Sequence, residues 1–210
     1  MVLALEASEP QLLSSMAVSP TEPNITLTSS PLSIWQAGVG NGFRPETWSL
    51  GLGAGAAYGL ADFGSHLAHD LALVSLAYSH MLGPVQGQGH WYRGNWEWRV
   101  EGLTGAQYSP TSDWLIGLTP YLRYNFATGT RWVPFFEGGL GVTATSIGLP
   151  DLANVFEFNL QGGSGVHWFL KDNLALTVEA RYIHLSCAGI SQPNNGLNSV
   201  IGMLGWNWFF

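Results

Sequence analysis

Along most of this chain apolar residues take every second position, and the charges fall on the opposite parity. A period of two is the repeat of a β-strand, whose successive side chains point to opposite faces. Over residues 94–108, Trp96, Trp98 and Val100 share one face, and Glu97, Arg99, Glu101 and Gln107 fill the other. Residues 113–126 set Trp114, Ile116, Leu118, Leu122, Tyr124 and Phe126 against Thr119, Arg123 and Asn125. Residues 131–144 set Trp132, Phe136, Leu140 and Val142 against Glu137 and Thr143. The pattern recurs over 154–170, with Phe156, Phe158, Leu160, Val166, Trp168 and Leu170 facing away from Glu157, Asn159, Gln161 and His167. Over 174–186, Leu174, Leu176, Val178 and Tyr182 oppose Thr177, Glu179 and Arg181. Over 198–210, Val200, Leu204, Trp206 and Trp208 oppose Ser199 and Asn207. Two less regular stretches, the Gly/Ala-rich 49–60 and 70–82, bring the strand count to eight. Residues 33–40 either open the first strand or form a separate edge piece. Pro120 cannot donate a ladder bond, so a bulge or an early strand end is expected there.

The balance of residue types decides what kind of sheet this is. Only 10% of the 210 residues are charged and 46% are hydrophobic, against roughly 25% charged in an ordinary soluble domain. No apolar run reaches the roughly 18 residues a membrane helix needs. In a bilayer every backbone polar group must find an internal partner, so a chain without such a helix crosses as a closed barrel or not at all. A soluble barrel keeps apolar residues inside and charges outside. Here the charges lie on the parity with less apolar bulk. In a narrow barrel Glu97, Arg99, Glu101, Arg123, Glu137, Glu157, Glu179 and Arg181 would converge in the lumen and pair there. The expected fold is therefore all-β, an eight-stranded antiparallel transmembrane barrel of outer-membrane type, formed by a single domain over 33–210. A sandwich with one solvent face and a soluble ligand-binding barrel are the alternatives. Residues 1–32, rich in Ser, Pro and Thr, read as an exposed lead-in. A secretory leader is expected, but residues 1–6 lack its basic and then apolar pattern.

Tryptophan placement is an independent check. If the N-terminus is periplasmic, Trp96, Trp98 and Trp132 begin rising strands, whereas Trp168, Trp206 and Trp208 end descending ones. All six then fall at one interface on the lipid-facing parity, where an aromatic girdle belongs.

Charge and cysteine usage exclude several functions. With 7 Lys+Arg against 14 Asp+Glu, the net charge of −7 leaves no basic surface to track a nucleic-acid backbone. One cysteine rules out an internal disulfide framework and a multi-cysteine metal site. His66, His69, His80 and His90 match no metal-ligand spacing. The glycine-rich 51–59 stretch lacks the strand-to-helix context of a nucleotide loop and reads as close strand packing.

The densest polar cluster lies at the end of the seventh strand. His184 and Ser186 are two residues apart and share the lipid-facing side of Leu176, Val178 and Tyr182, where polar side chains cost free energy unless they have partners or a task. Asn198 opens the eighth strand at the same height and parity. A Ser beside a His that is oriented by a third polar group is the arrangement of nucleophilic acyl transfer, and facing outward it would act on lipid.

The run His184-Leu185-Ser186-Cys187-Ala188-Gly189, followed by 192–198, resembles the His-x-Ser-Asn-Ala-Gly signature of the PagL-type lipid A deacylase (acyloxyacyl hydrolase) family of outer-membrane barrels. The similarity extends more loosely through ARYIHLS, PYLRYNF, VPFFEGGLGV and RGNWEW, from about Trp35 to a terminal Phe210 that matches the final aromatic of such barrels. The resemblance implies a carboxylic ester hydrolase with His184 as general base, Ser186 as nucleophile and the Gly189 N–H as oxyanion donor. It also implies lipid A or lipopolysaccharide of the outer leaflet as substrate, a bacterial outer-membrane location and no cofactor; whether the barrel forms a homodimer stays open. Two positions depart from the signature. Where the family has Asn after the nucleophile, as a further oxyanion donor, Cys187 offers a much weaker one. The third member, Glu in the family, falls at Asn198, which can hold a His ring but adds no charge. The other readings are Cys187 as nucleophile and a non-catalytic barrel, structural or surface-binding, that keeps the scaffold.

Overall fold

The computed structural model describes residues 33–210; the expected lead-in at 1–32 lies outside the described residues. The strands are β1 (Trp48–Leu60), β2 (Asp70–Met81), β3 (Gly94–Ser109), β4 (Asp113–Phe126), β5 (Trp132–Thr145), β6 (Phe156–Lys171), β7 (Leu174–Ser186) and β8 (Leu197–Phe209). Each pairs antiparallel with its neighbours in chain order, and β8 closes on β1, so the sheet is a barrel with no open edge. Closure follows from the composition: a sheet whose outer face is apolar has no water to satisfy an unpaired edge.

Alternation is carried through in every strand. Leu76, Ile116, Leu118, Leu140, Leu160, Val178 and Leu204 point outward and are exposed, whereas Glu97, Glu101, Arg123, Glu137, Glu157, Glu179 and Arg181 are buried. The lumen is filled by interlocked charges. Arg181 reaches Glu101 at 2.6 Å and Glu179 at 2.6 Å, Arg123 reaches Glu137 at 2.7 Å, and Arg99 pairs with Glu101. Arg123 also lies 3.9 Å from the centre of the Phe135 ring. Glu157 departs from the expected pairing. It is fully buried, yet no arginine, lysine or histidine pairs with its carboxylate among the described residues, and only the Asn154 backbone N–H is directed at it.

The girdle tryptophans gather toward the end where β1 begins and β8 ends. Trp132 and Trp168 are register partners and stack at 5.2 Å, and Trp48 stacks on Phe210 at 4.2 Å. This end is called the near end below, and the opposite one the far end.

One local expectation is corrected, and one left open between two readings is decided for the separate piece. Pro120 neither ends β4 nor shifts its register; Val100 faces it across the β3 ladder, and the pairing with β5 is interrupted at Thr119 and Pro120 and resumes in the same register. The missing N–H is therefore accommodated as a gap in one ladder. Residues 33–47 do not extend β1. They form a separate plug, with Trp35 and Phe43 bridged to each other, in the near mouth of the barrel. Phe43 donates its N–H to Asn95 Oδ1 at 2.8 Å and stacks with Trp35 and Phe209, at 4.7 and 5.2 Å, while the Trp35 indole donates to the Asp172 carbonyl.

Candidate active site

Of the four connections at the far end, the β3–β4 turn at 110–112 is short, and the other three, 61–69, 146–155 and 187–196, meet above the ends of β7 and β8. The ladder itself places the central pair: His184 on β7 and Asn198 on β8 are register partners. Their side chains meet at 2.7 Å, His184 Nδ1 to Asn198 Oδ1, and the Tyr182 hydroxyl donates to the same oxygen at 2.7 Å. The Asn198 amide cannot be turned round. Its Nδ2 donates to the backbone carbonyl of Asp62 at 2.8 Å, a group that only accepts. The oxygen therefore faces His184, Nδ1 carries the ring proton, and Nε2 is left with a free lone pair. A neutral imidazole in that tautomer can take up a proton at Nε2.

Ser186 follows two residues later on the same outward side, half-buried like His184, with Phe158 as its partner on β6. Among the described residues neither Ser186 Oγ nor His184 Nε2 has a hydrogen-bond partner. In unliganded enzymes such bonds are commonly long and tighten when substrate arrives.

The turn after Ser186 is tight. Ala188 and Gly189 both have positive φ, 50° and 80°, and the Ile190 N–H closes onto the Cys187 carbonyl at 3.1 Å, as in a type I′ turn. Gly189 is exposed, and its N–H has no partner among the described residues. Cys187 faces the other way. It is buried, its N–H donates to Asn194 Oδ1 at 3.0 Å, and its thiol reaches Asn194 Oδ1 at 3.2 Å and the Ser191 carbonyl at 3.4 Å. Both of its donors are thus already engaged.

Two features absent from the sequence reading fix the loops around this pair. Gly196 has φ +80°, and a Cβ there would lie 2.8 Å from Cε1 of the His184 ring, so only the bare backbone can approach the imidazole this closely. Asp151, fully buried at the far end, ties the connections together. Its carboxylate accepts from the N–H groups of His66 and Leu67, at 2.6 and 3.0 Å, and faces His69 Nε2 at 3.0 Å. Its carbonyl accepts from the N–H groups of Asn195 and Gly196, both at 3.2 Å. Burial pushes the Asp151 carboxyl up, but the His66 and Leu67 N–H groups and the two histidine rings outweigh it and hold it below the ordinary aspartate range. Tyr182 shares the parity of His184, so it could have been found from the sequence; the loop contacts left no periodic signal.

A family described as lipid A 3-O-deacylase (PagL) matches residues 72–207, well over half of the chain. The chain belongs to the PagL family. Among curated proteins, lipid A deacylase PagL of Pseudomonas aeruginosa (strain ATCC 15692) is 32% identical over 114 residues. That alignment covers 53% of this chain and 60% of the relative, so the chain spans less than two thirds of that PagL protein's length. Among solved structures, the outer membrane enzyme PagL superposes with a TM-score of 0.53 at 24% identity, over 75% of this chain and 97% of its own. Neisserial surface protein A gives a TM-score of 0.54 at 17% identity, over 77% and 96%. A PagL barrel and a surface-protein barrel thus match this fold about equally well, so the case for chemistry rests on the residues of the site.

Proposed function

We propose that this PagL-family barrel is an esterase of the bacterial outer membrane that removes an ester-linked acyl chain from lipid A in the outer leaflet. The observation that carries the reading is the hydrogen bond from His184 Nδ1–H to Asn198 Oδ1, which frees Nε2 on the same lipid-facing side of β7 as Ser186. In this reaction Ser186 Oγ attacks the ester carbonyl and its proton passes to His184 Nε2. The tetrahedral intermediate collapses, the sugar oxygen leaves and takes the proton from His184, and the acyl chain remains on Ser186. Water, deprotonated by the same nitrogen, then releases the fatty acid. The free Gly189 N–H is a candidate donor to the oxyanion, a role in which one donor is worth on the order of a hundredfold or more in rate. No step calls for a cofactor.

The outer wall offers room for acyl chains. A groove of about 510 Å³, lined by Leu76, Thr104, Ile116, Leu118, Val142 and Phe156, runs across the lipid-facing side toward β6. Phe158, two residues beyond Phe156 on the same side, is the register partner of Ser186. Mass spectrometry of lipid A incubated with the wild-type protein and with Ser186→Ala tests the reading. Loss of one acyl chain with the wild type alone is expected; identical acyl patterns would sink it. The separation of Ser186 Oγ from the His184 ring favours a second reading, a non-catalytic surface barrel that keeps this scaffold, and identical patterns would support it.

A further inference from the structure

His69 closes the segment 61–69 that brings the Asp62 carbonyl to Asn198, and it is buried, at 2% exposure. Its ring is held from both sides: Nδ1 lies 2.8 Å from Gln107 Oε1, and Nε2 lies 3.0 Å from Asp151 Oδ2. These partners decide where its protons sit. Gln107 cannot present its amide nitrogen instead, because that nitrogen donates to the Thr111 carbonyl at 3.2 Å, the Thr111 hydroxyl at 2.7 Å and the Asp113 carboxylate at 3.3 Å. The carbonyl and the carboxylate only accept, so a reversed amide would set oxygen against oxygen. Asp151 cannot supply a proton either. Its carboxylate already accepts from the His66 and Leu67 N–H groups and is held below the ordinary aspartate range, hence ionised.

Both His69 nitrogens therefore face acceptors, and a ring with one proton would turn a lone pair onto one of them at hydrogen-bond distance. With both protons in place the ring donates two bonds and supplies the counter-charge that a fully buried carboxylate requires. Among the described residues no Lys or Arg pairs with Asp151. The other ring beside it, His66, is exposed and takes the Asn195 amide N–H on the same Nδ1 at 3.0 Å. Asp113 stands beyond Gln107, and Asp70, next in the chain, is turned to the Gly59 N–H at 2.9 Å.

The His69 ring thus joins all four far-end connections. It stands on 61–69, reaches the 110–112 turn through Gln107 and 146–155 through Asp151, and the Asp151 carbonyl extends the hold to Asn195 and Gly196. Two groups fixed in this way meet the reacting pair: the Asp62 carbonyl holds the Asn198 amide, and Gly196 stands against the His184 ring.

We infer that His69 is a positioning residue of the hydrolysis, an imidazolium whose two donated bonds lock the loops that hold Asn198 and His184 together. This rests on the deacylase reading above and adds to it a charged group that stands behind the catalytic pair rather than against the lipid.

The test uses the full chain in detergent, isotopically labelled at the histidine ring nitrogens. In the wild type near neutral pH, magnetic resonance is expected to show protons on both nitrogens of His69 and on Nδ1 alone of His184. A His69 ring with one bare nitrogen overturns the inference, and this measurement needs no variant to fold. His69→Gln keeps a donor but removes the charge and one of the two bonds. It is expected to lower kcat for fatty-acid release from lipid A on the order of tenfold, with KM changed by less than about twofold. In the same variant the His184 ring is expected to lose its single Nδ1–H signature, because the groups that orient it are released. An unchanged kcat overturns the inference, and so does a lowered kcat with the His184 signals unaltered, which marks a role in stability alone. Each of these failures leaves the deacylase reading standing. If the wild type itself releases no fatty acid, the deacylase reading falls and the positioning role with it.

Discussion

His184 Nδ1 and Asn198 Oδ1 stand 2.7 Å apart across the β7–β8 ladder, and the Asp62 carbonyl holds the Asn198 amide so that its oxygen cannot turn away. Removing that amide frees the ring and its tautomer. Asn198→Ala is expected to lower kcat on the order of a hundredfold, with the folded barrel retained. Steady-state kinetics of fatty-acid release, run beside the shift in gel mobility between heated and unheated samples, reads both. An unchanged kcat would show that the ring is not held through Asn198.

Gly196 is the second support of the same ring. A methyl group there would press on His184 Cε1 and would also place an L-residue at φ +80°, a conformation that costs roughly 1–2 kcal/mol. Gly196→Ala is expected to displace the imidazole, with a loss in kcat on the order of a hundredfold, comparable to other small misplacements of reacting groups. Substrate binding, measured with Ser186→Ala as the background, should change little.

The loop clasp should respond to acid. Because the folded protein holds the Asp151 carboxyl below its ordinary range, the clasp contributes fully above the unfolded value, about 3.9. The contribution is lost as pH falls through the lower folded value. Hydrogen exchange of 61–69, 146–155 and 187–196, referenced to unstructured peptides, should therefore stay slow near neutrality and accelerate only below about pH 4. Asp151→Asn turns one acceptor into a donor that faces N–H groups, at a cost of about 1–3 kcal/mol. The same segments should then exchange faster at neutral pH, and the acid step should disappear.

Glu157 supplies a prediction of opposite sign. Its carboxylate is buried with no arginine, lysine or histidine paired to it among the described residues and only the Asn154 backbone N–H directed at it, so Glu157→Gln removes the potential charge while keeping the shape. The variant is expected to unfold in urea at a higher midpoint, by about 1 kcal/mol or more of stability. A lower midpoint would mean that the carboxylate has a role the packing does not reveal.

The barrel was legible because a two-residue period has only two faces: once Glu97, Arg123, Glu137 and Arg181 fall on one parity, Leu118, Leu140 and Leu204 must fall on the other. Strand bounds followed almost to the residue. Pro120 misled, because a proline deletes one ladder bond and the register is held by the thirteen other residues of β4. The plug at 33–47 was illegible for a different reason. It is a compact hairpin-like segment anchored by Asn95 and by aromatic stacking, and neither leaves a period in the chain. At the candidate site, parity brought His184, Ser186 and Asn198 to one place. The groups that orient them, the Asp62 carbonyl, the Gly196 backbone and Asp151, lie on connections, where neighbours in space are remote in sequence.

With Trp35 and Phe43 stacked in the near mouth and the arginine–glutamate lattice filling the middle, the barrel is solid along much of its length. Such a wall-to-wall interior gives ions no continuous column of water. In a planar lipid bilayer the inserted protein should therefore be electrically silent, so the cell gains a surface facing the outer leaflet without gaining a leak.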